Sequence, residues 1–209
     1  MNLLIFGASG ATGHELVNQA LSKGHSVTAF VRDPTRLNAD HQNLKVVQGY
    51  ITDDADLTNA IKGHDVVLSA LGASSPFKLD TEVIEGVGKI IKTMEYLNVM
   101  RFIYLSFIGV NASRMDGGFV IRHIAPRLLK TEIAGHEARE KMLRNSLLNW
   151  TIVHAPTLTK GKKTGSYRKG ENLSSNSFVV AVSRADVADL MLSQCVDPTF
   201  HRKAVRIMY

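Results

Sequence analysis

The sequence predicts a single α/β domain over residues 1–209, built on a doubly wound parallel sheet, and three observations carry that prediction. Short β-branched or apolar runs alternate with longer segments of helical period, the pattern of successive βαβ units. A glycine-rich turn follows the first apolar run at once. The 209 residues, 44% hydrophobic and 21% charged, have ordinary globular proportions and suit one domain.

Taken in order, strands are expected at residues 3–6, 26–31, 45–48, 65–70, 101–106 and 150–153. Leu16, Val17, Ala20 and Leu21 share one helical face between the first two, and Val83, Ile84, Val87, Ile90, Ile91, Met94 and Leu97 mark a long buried helix. Residues 130–145 and 184–195 read as two further helices, and 204–208 as a closing edge strand. The stretch 157–177, rich in Gly, Lys, Ser and Thr, exceeds ordinary connections in length. Its place after the sixth strand makes it the expected substrate-side loop.

No apolar run approaches the ~20 residues that cross a bilayer, and Met1 leads straight into a strand rather than a leader. A soluble cytoplasmic protein with no membrane partner, monomeric or homodimeric, is therefore expected. The lone Cys195 excludes an intramolecular disulfide and reads as a packed thiol. The eight histidines show no HxxxH or Cys/His cluster, so no metal site is expected. The net charge of +6 suits anionic ligands such as phosphates. The basic residues do not line one helix or accompany a nucleic-acid motif, so no nucleic-acid partner is expected.

The most informative residues are Gly7-Ala8-Ser9-Gly10-Ala11-Thr12-Gly13, between the first strand and an amphipathic helix. Glycines there let the chain turn sharply and its backbone approach a pyrophosphate, while the helix amino terminus offers free N–H groups and the positive end of its dipole. The spacing is GxxGxxG rather than GxGxxG, so the strand before it and the helix after it carry the Rossmann-like reading. Gly7, Ser9, Gly10, Ala11, Thr12 and Gly13 are the expected phosphate cradle, and Thr12 with Glu15 fits a capping box.

The residue that selects the dinucleotide is expected about 20 positions on, at the end of the second strand. Arg32 stands there, and a guanidinium binds the 2′-phosphate of NADP in bidentate fashion where an acid would bind the ribose of NAD. NADP(H) is thus the expected cofactor. Arg36 either closes over the same phosphate or is a solvated charge. Asp33 reads as the cap of a turn with Pro34, or as a ribose acceptor. Asp53 and Asp54 read as helix caps or neighbours of the adenine.

These segments, with Val31-Arg32-Asp33-Pro34, Ser69-Ala70-Leu71-Gly72 and Thr164-Gly165-Ser166-Tyr167, resemble the atypical short-chain dehydrogenases. The resemblance is nearest to the NmrA-like branch and its flavin reductase (biliverdin reductase B) group, and it covers nearly the whole chain. It implies a domain that binds NADPH and passes hydride to a flavin, quinone, bilin or similar conjugated small molecule. It implies that Ser106, ending the fifth strand, is the catalytic-site residue beside the nicotinamide. It also implies that Ala70, Leu71 and Gly72 join the glycine loop around pyrophosphate and ribose. Thr157 follows Pro156 where that group carries a histidine, which leaves the acceptor open.

The better-known short-chain dehydrogenases protonate their substrates with a Tyr-x-x-x-Lys pair. Tyr50, Tyr96, Tyr104 and Tyr167 are followed four residues on by Asp54, Met100, Ile108 and Glu171, so the pair is absent. A positioned general acid contributes ~10² to 10⁴ in rate, and an acceptor that spreads the incoming electron pair needs it least. Phe77, Phe107, Phe119 and Tyr167 are candidates to stack on a flat acceptor, with Thr157 beside them. Lys160, Lys162, Lys163, Arg168 and Lys169 read as an anion-attracting loop or as a solvated surface. His154, ending the sixth strand, faces the cofactor or packs. The alternative to an enzyme is an NADP-binding redox sensor that regulates a partner without turnover.

Overall fold

Strand β1 (Asn2–Phe6) is buried from Leu3 onward, as a central parallel strand covered on both faces must be. A computed structural model describes residues 1–72 and 79–209 of the chain. After β1 come α1 (Ala11–Ser22), β2 (Ser26–Val31), β3 (Leu44–Gln48), α2 (Asp54–Ile61), β4 (Val66–Ser69), α3 (Thr81–Tyr96) and β5 (Arg101–Phe107). A 3₁₀-helical segment (Asn111–Asp116) and a π-helical turn (Val120–Ile124) then lead to α4 (Ala125–Leu128), α5 (Lys130–Arg144) and β6 (Asn149–Ala155). The chain closes with β7 (Thr157–Thr159), β8 (Arg168–Gly170), β9 (Ala181–Ser183), α6 (Arg184–Ser193) and β10 (Lys203–Met208).

The sheet order is β3-β2-β1-β4-β5-β6-β10-β8, parallel apart from the β10–β8 pair. This is the Rossmann-like doubly wound fold, with its order reversing between β1 and β4, where such sheets open a crevice at their carboxyl edge. Leu16, Val17 and Ala20 of α1 and Val187, Leu190 and Met191 of α6 pack on one face of the sheet. Leu57 and Ile61 of α2, Val87, Ile90 and Met94 of α3, and Leu143 of α5 cover the other. Cys195 lies buried in the first layer, where loss of water pushes its thiol up to about 11, so it packs rather than reacts.

Three expectations are corrected. The strand at 204–208 is not the edge: β10 lies between β6 and the three-residue β8, which takes the edge. The stretch 157–177 is partly built, since β7 pairs with β9 and β8 with β10. Thr12 and Glu15 form no capping box, because α1 begins at Ala11, its N-cap is Gly10, and no side chain caps it. Of the two helix-cap candidates Asp53 and Asp54, Asp53 caps α2, its carboxylate accepting from the Asp56 amide at 2.9 Å.

Gly7 and Gly13 make the first turn possible. Gly7 has φ of +75°, and a Cβ there would lie 2.7 Å from the Ala70 carbonyl carbon. A Cβ on Gly13 would be driven into the Gly7 carbonyl oxygen, whereas one on Gly10 would meet that oxygen at 3.3 Å. Gly13→Ala should therefore cost about 1–3 kcal/mol, seen as a fall of several degrees in Tm, and Gly10→Ala distinctly less. Equal melting temperatures for the two variants would contradict this packing.

Candidate active site

The carboxyl edge of the sheet opens into a cavity of about 910 Å³, large enough for a dinucleotide's reactive end and a small acceptor. One end is the glycine turn, where Gly7, Ser9, Gly10, Ala11 and Thr12 line the wall. The amino terminus of α1 opens here without a side-chain cap, so its first amides have no partner within the helix. Uncapped amides, a dipole end and a backbone free of side chains fit a diphosphate. Gly13 stands behind the wall and serves the helix-to-strand contact instead.

Arg32 and Arg36 line the same end. Arg32 is exposed and, among the described residues, its ion pair is with Glu82 at 3.9 Å, a loose contact that leaves its fork available to an anion. Asp33 caps the turn Pro34–Arg36, accepting from the amide and hydroxyl of Thr35 at 3.0 and 2.6 Å. Its carboxylate is thereby occupied as a cap.

Ala70, Leu71 and Gly72, following β4, form the middle of the wall. Beyond them lie Ser106 and Phe107 from the end of β5, then Pro156, Thr157 and Leu158. Val120, Ile121, Ala125 and Leu129 give this far end an apolar side. The cavity thus runs from a cationic, amide-rich end to an apolar end marked by a serine. Phe77 lies outside the described residues. Phe119 stacks on Phe178 at 5.3 Å between centroids and does not line the cavity.

Tyr167, expected on the substrate side, does not line this cavity. It is half-buried against the core, its hydroxyl donating to Asp189 Oδ2 at 3.0 Å. The surrounding segment folds back onto α6 because Asp186 accepts from the Thr164 and Gly165 amides at 2.9 and 2.8 Å. Lys163 pairs with Asp189 and Lys169 with Asp197, so much of the basic run is spent on the protein itself. Of residues 157–177, only Thr157 and Leu158 reach the cavity wall.

Two features of the site were missed in the sequence. Arg184, opening α6, lines the cavity. The second is a buried polar group around Ser106. Ser106 Oγ donates to Glu140 Oε1 at 2.6 Å and lies 3.2 Å from His136 Nδ1. His154 Nε2 stands 2.8 Å from the same Glu140 oxygen, Arg144 holds the other at 3.1 Å, and His136 Nε2 is 3.4 Å from Glu132 Oε1. Glu132, His136 and Glu140 recur every fourth residue along α5, so one helical face presents all three. That spacing is legible in the sequence, but its meaning depends on β5 and β6 bringing Ser106 and His154 against it. His154 packs behind the wall, 4% exposed, and does not face the cavity.

Burial, the largest influence on Glu140, pushes its carboxyl up. The hydrogen bond and charge of His154, with those from Ser106 and Arg144, outweigh it and hold the carboxyl at about 2. Loss of water pushes His136 down from its ordinary value against the pull of Glu132. The His136 hydrogen bond in turn holds Glu132 below the usual carboxylate range.

Fold and cavity together define a dinucleotide-binding α/β domain. The chain belongs to the NAD(P)H-binding family, whose model matches residues 7–198. It is 26% identical over 207 residues to the Bacillus subtilis protein YwnB, an alignment covering 95% of this chain and 93% of that one. It spans a smaller share, 61%, of a longer Arabidopsis thaliana relative. Among solved structures, a Veillonella parvula short-chain dehydrogenase/reductase in complex with NADP superposes with a TM-score of 0.80 at 22% identity, covering 99% of this chain and 93% of that one. ChuY, described as an anaerobillin reductase from Escherichia coli O157:H7, superposes with a TM-score of 0.81 at 20% identity, covering 99% and 96%. Among the described residues, no helix is long and apolar enough to cross a membrane.

Because Glu140 is held near 2 in the folded chain and titrates near 4.5 when free, it stabilises the fold above about pH 4.5 and loses that contribution as pH falls toward 2. Glu140→Gln should lower Tm at pH 7, and the gap to the wild type should narrow as the pH falls from about 4.5 toward 2. A gap independent of pH would contradict the ionised, paired state of Glu140.

Proposed function

We propose that the protein is an NADPH-dependent oxidoreductase that passes hydride to a flavin, quinone or similar conjugated small molecule. The observation that carries this is the polarity of one cavity: free amides and two arginines at one end, Ser106 beside an apolar wall at the other. The family match supports the nicotinamide dinucleotide, and the reductase named among the structural neighbours supports the type of reaction.

When bound, the reduced cofactor supplies a hydride, two electrons with one proton, to an electrophilic atom of the acceptor. The chain's own residues bind and orient. Backbone amides of Ser9 to Thr12 hold the diphosphate, Arg32 and Arg36 take the 2′-phosphate, and Ala70, Leu71 and Gly72 border the ribose. Phe107, Thr157 and Leu158 border the acceptor. Proximity and the exclusion of water by the apolar side supply most of the rate.

Purified protein should oxidise NADPH when offered FMN or a quinone. Arg32→Ala should raise the NADPH KM about ten-fold or more, the worth of a charge-assisted hydrogen bond to phosphate, with little change in the NADH KM. Equal loss toward both cofactors would place Arg32 outside the 2′-phosphate site.

A further inference from the structure

The polar group behind Ser106 has a shortage of protons. Four contacts join Ser106, His136, Glu132, Glu140 and His154: Ser106 with Glu140, Ser106 with His136, His136 with Glu132, and His154 with Glu140. With His136 neutral and both carboxylates ionised, the serine hydroxyl, the one N–H of His136 and the His154 N–H toward Glu140 offer only three protons to fill them. The Ser106 proton goes to Glu140 across the shortest contact, 2.6 Å, so a neutral His136 has one N–H for two acceptors, Ser106 Oγ at Nδ1 and Glu132 Oε1 at Nε2. Whichever nitrogen carries that proton, the other turns a lone pair on its neighbour, across 3.2 Å to Ser106 or 3.4 Å to Glu132. The site is therefore built to take one more proton, on His136.

We propose that Glu132, His136 and Ser106 store this proton and deliver it to the acceptor, and that the natural acceptor is a conjugated carbonyl compound rather than a flavin. This deepens the reductase reading above and rests on it. Ser106, His136 and Glu132 line the cavity, while Glu140 and His154 do not. The stored proton thus faces the ligand and the fixed carboxylate stands behind it. As hydride adds to the carbonyl carbon, the C=O π pair moves to oxygen. That oxygen takes the Ser106 hydroxyl proton, Ser106 takes the Nδ1 proton of His136, and the imidazolium is left neutral. The neutral ring keeps its Nε2 proton, and a solvent proton passed through water in the cavity reloads Nδ1. The C=O becomes CH–OH, with two electrons and one hydrogen from the cofactor and one proton from His136. A flavin leaves an anion that is stable near neutral pH after hydride uptake, so it has no need of this line.

The groups facing His136 set its charge. Glu132 and Glu140 on its own helix favour the imidazolium, and Arg139 there opposes it. From β5 come Ser106 and the buried Tyr104, from β6 comes His154 through Glu140, and Asp80 ahead of α3 acts on Glu132. Burial disfavours the charged form, so His136 is mostly neutral at pH 7 and loads as the pH falls. Turnover of a carbonyl acceptor should rise from pH 8 toward 6.

Two measurements decide this. Histidine side-chain NMR on the cofactor-free protein follows the resonance that disappears in His136→Asn. Glu132→Gln, a mild change at the wall, should lower its midpoint by about one unit, the effect of removing an opposite charge within 4–6 Å. An unchanged midpoint overturns the proton store. In the second measurement, NADPH oxidation is followed with 9,10-phenanthrenequinone and with FMN across pH. His136→Asn and Ser106→Ala should cut quinone turnover at least about ten-fold more than FMN turnover, within the range of a positioned acid, and flatten the quinone pH profile. Equal losses with an unaltered profile overturn the delivery. A wild type that oxidises NADPH with neither acceptor, yet shows the NMR shift, defeats the reductase reading and leaves the proton store standing.

Discussion

The amino terminus of α1 sits against the end of β1 with no side chain between them, and the rest of the site is arranged around that contact. Gly13 lies on the Gly7 carbonyl, and Gly7, at positive φ, lies on the backbone after β4. Closing these gaps brings the first amides of α1 to the mouth of the crevice where β1 and β4 diverge. A helix drawn back by one methyl group would leave those amides aimed past the cavity. The same contact fixes Ala70, Leu71 and Gly72 as the middle of the wall, because their strand is the one Gly7 touches.

From that fixed end the sheet's twist and order deliver the other. β5 and β6, next beyond β4, carry Ser106 and His154 to the same carboxyl edge in direct register. α5 crosses behind them and inserts Glu140 between the two, where it is nearly inaccessible to water. A carboxylate so placed is tolerable only because His154, Ser106 and Arg144 satisfy it. The cluster makes Ser106 a rigid feature of the wall, positioned before any ligand arrives.

Much of this was legible in the chain. Periodicity located the six main strands and the long helices because both faces of a parallel sheet demand continuous apolar runs, and β1, β4 and β5 supply them. The glycine turn and Arg32 stood out because strand ends and turns carry few competing signals, and Ser106 was pointed to by the family resemblance. What could not be read depends on contacts remote in sequence. Tyr167 looks like a loop aromatic until Asp186 and Asp189, some twenty positions on, fold its segment onto α6. β10 looks like an edge until β8, only three residues long, pairs beside it. Glu132, His136 and Glu140 look like an ordinary polar helix face until Ser106, some thirty residues earlier, comes to lie against them.

The central claim is that one cavity holds the dinucleotide from its diphosphate at α1 to its nicotinamide at Ser106. A crystal structure of the protein soaked with NADP tests it most directly. The expected density has the diphosphate on the amides of residues 9–12, the 2′-phosphate against Arg32 and the nicotinamide ring in contact with the Ser106 wall. Density for the cofactor anywhere else, or a glycine turn blocked by protein atoms with the ligand absent, would contradict it.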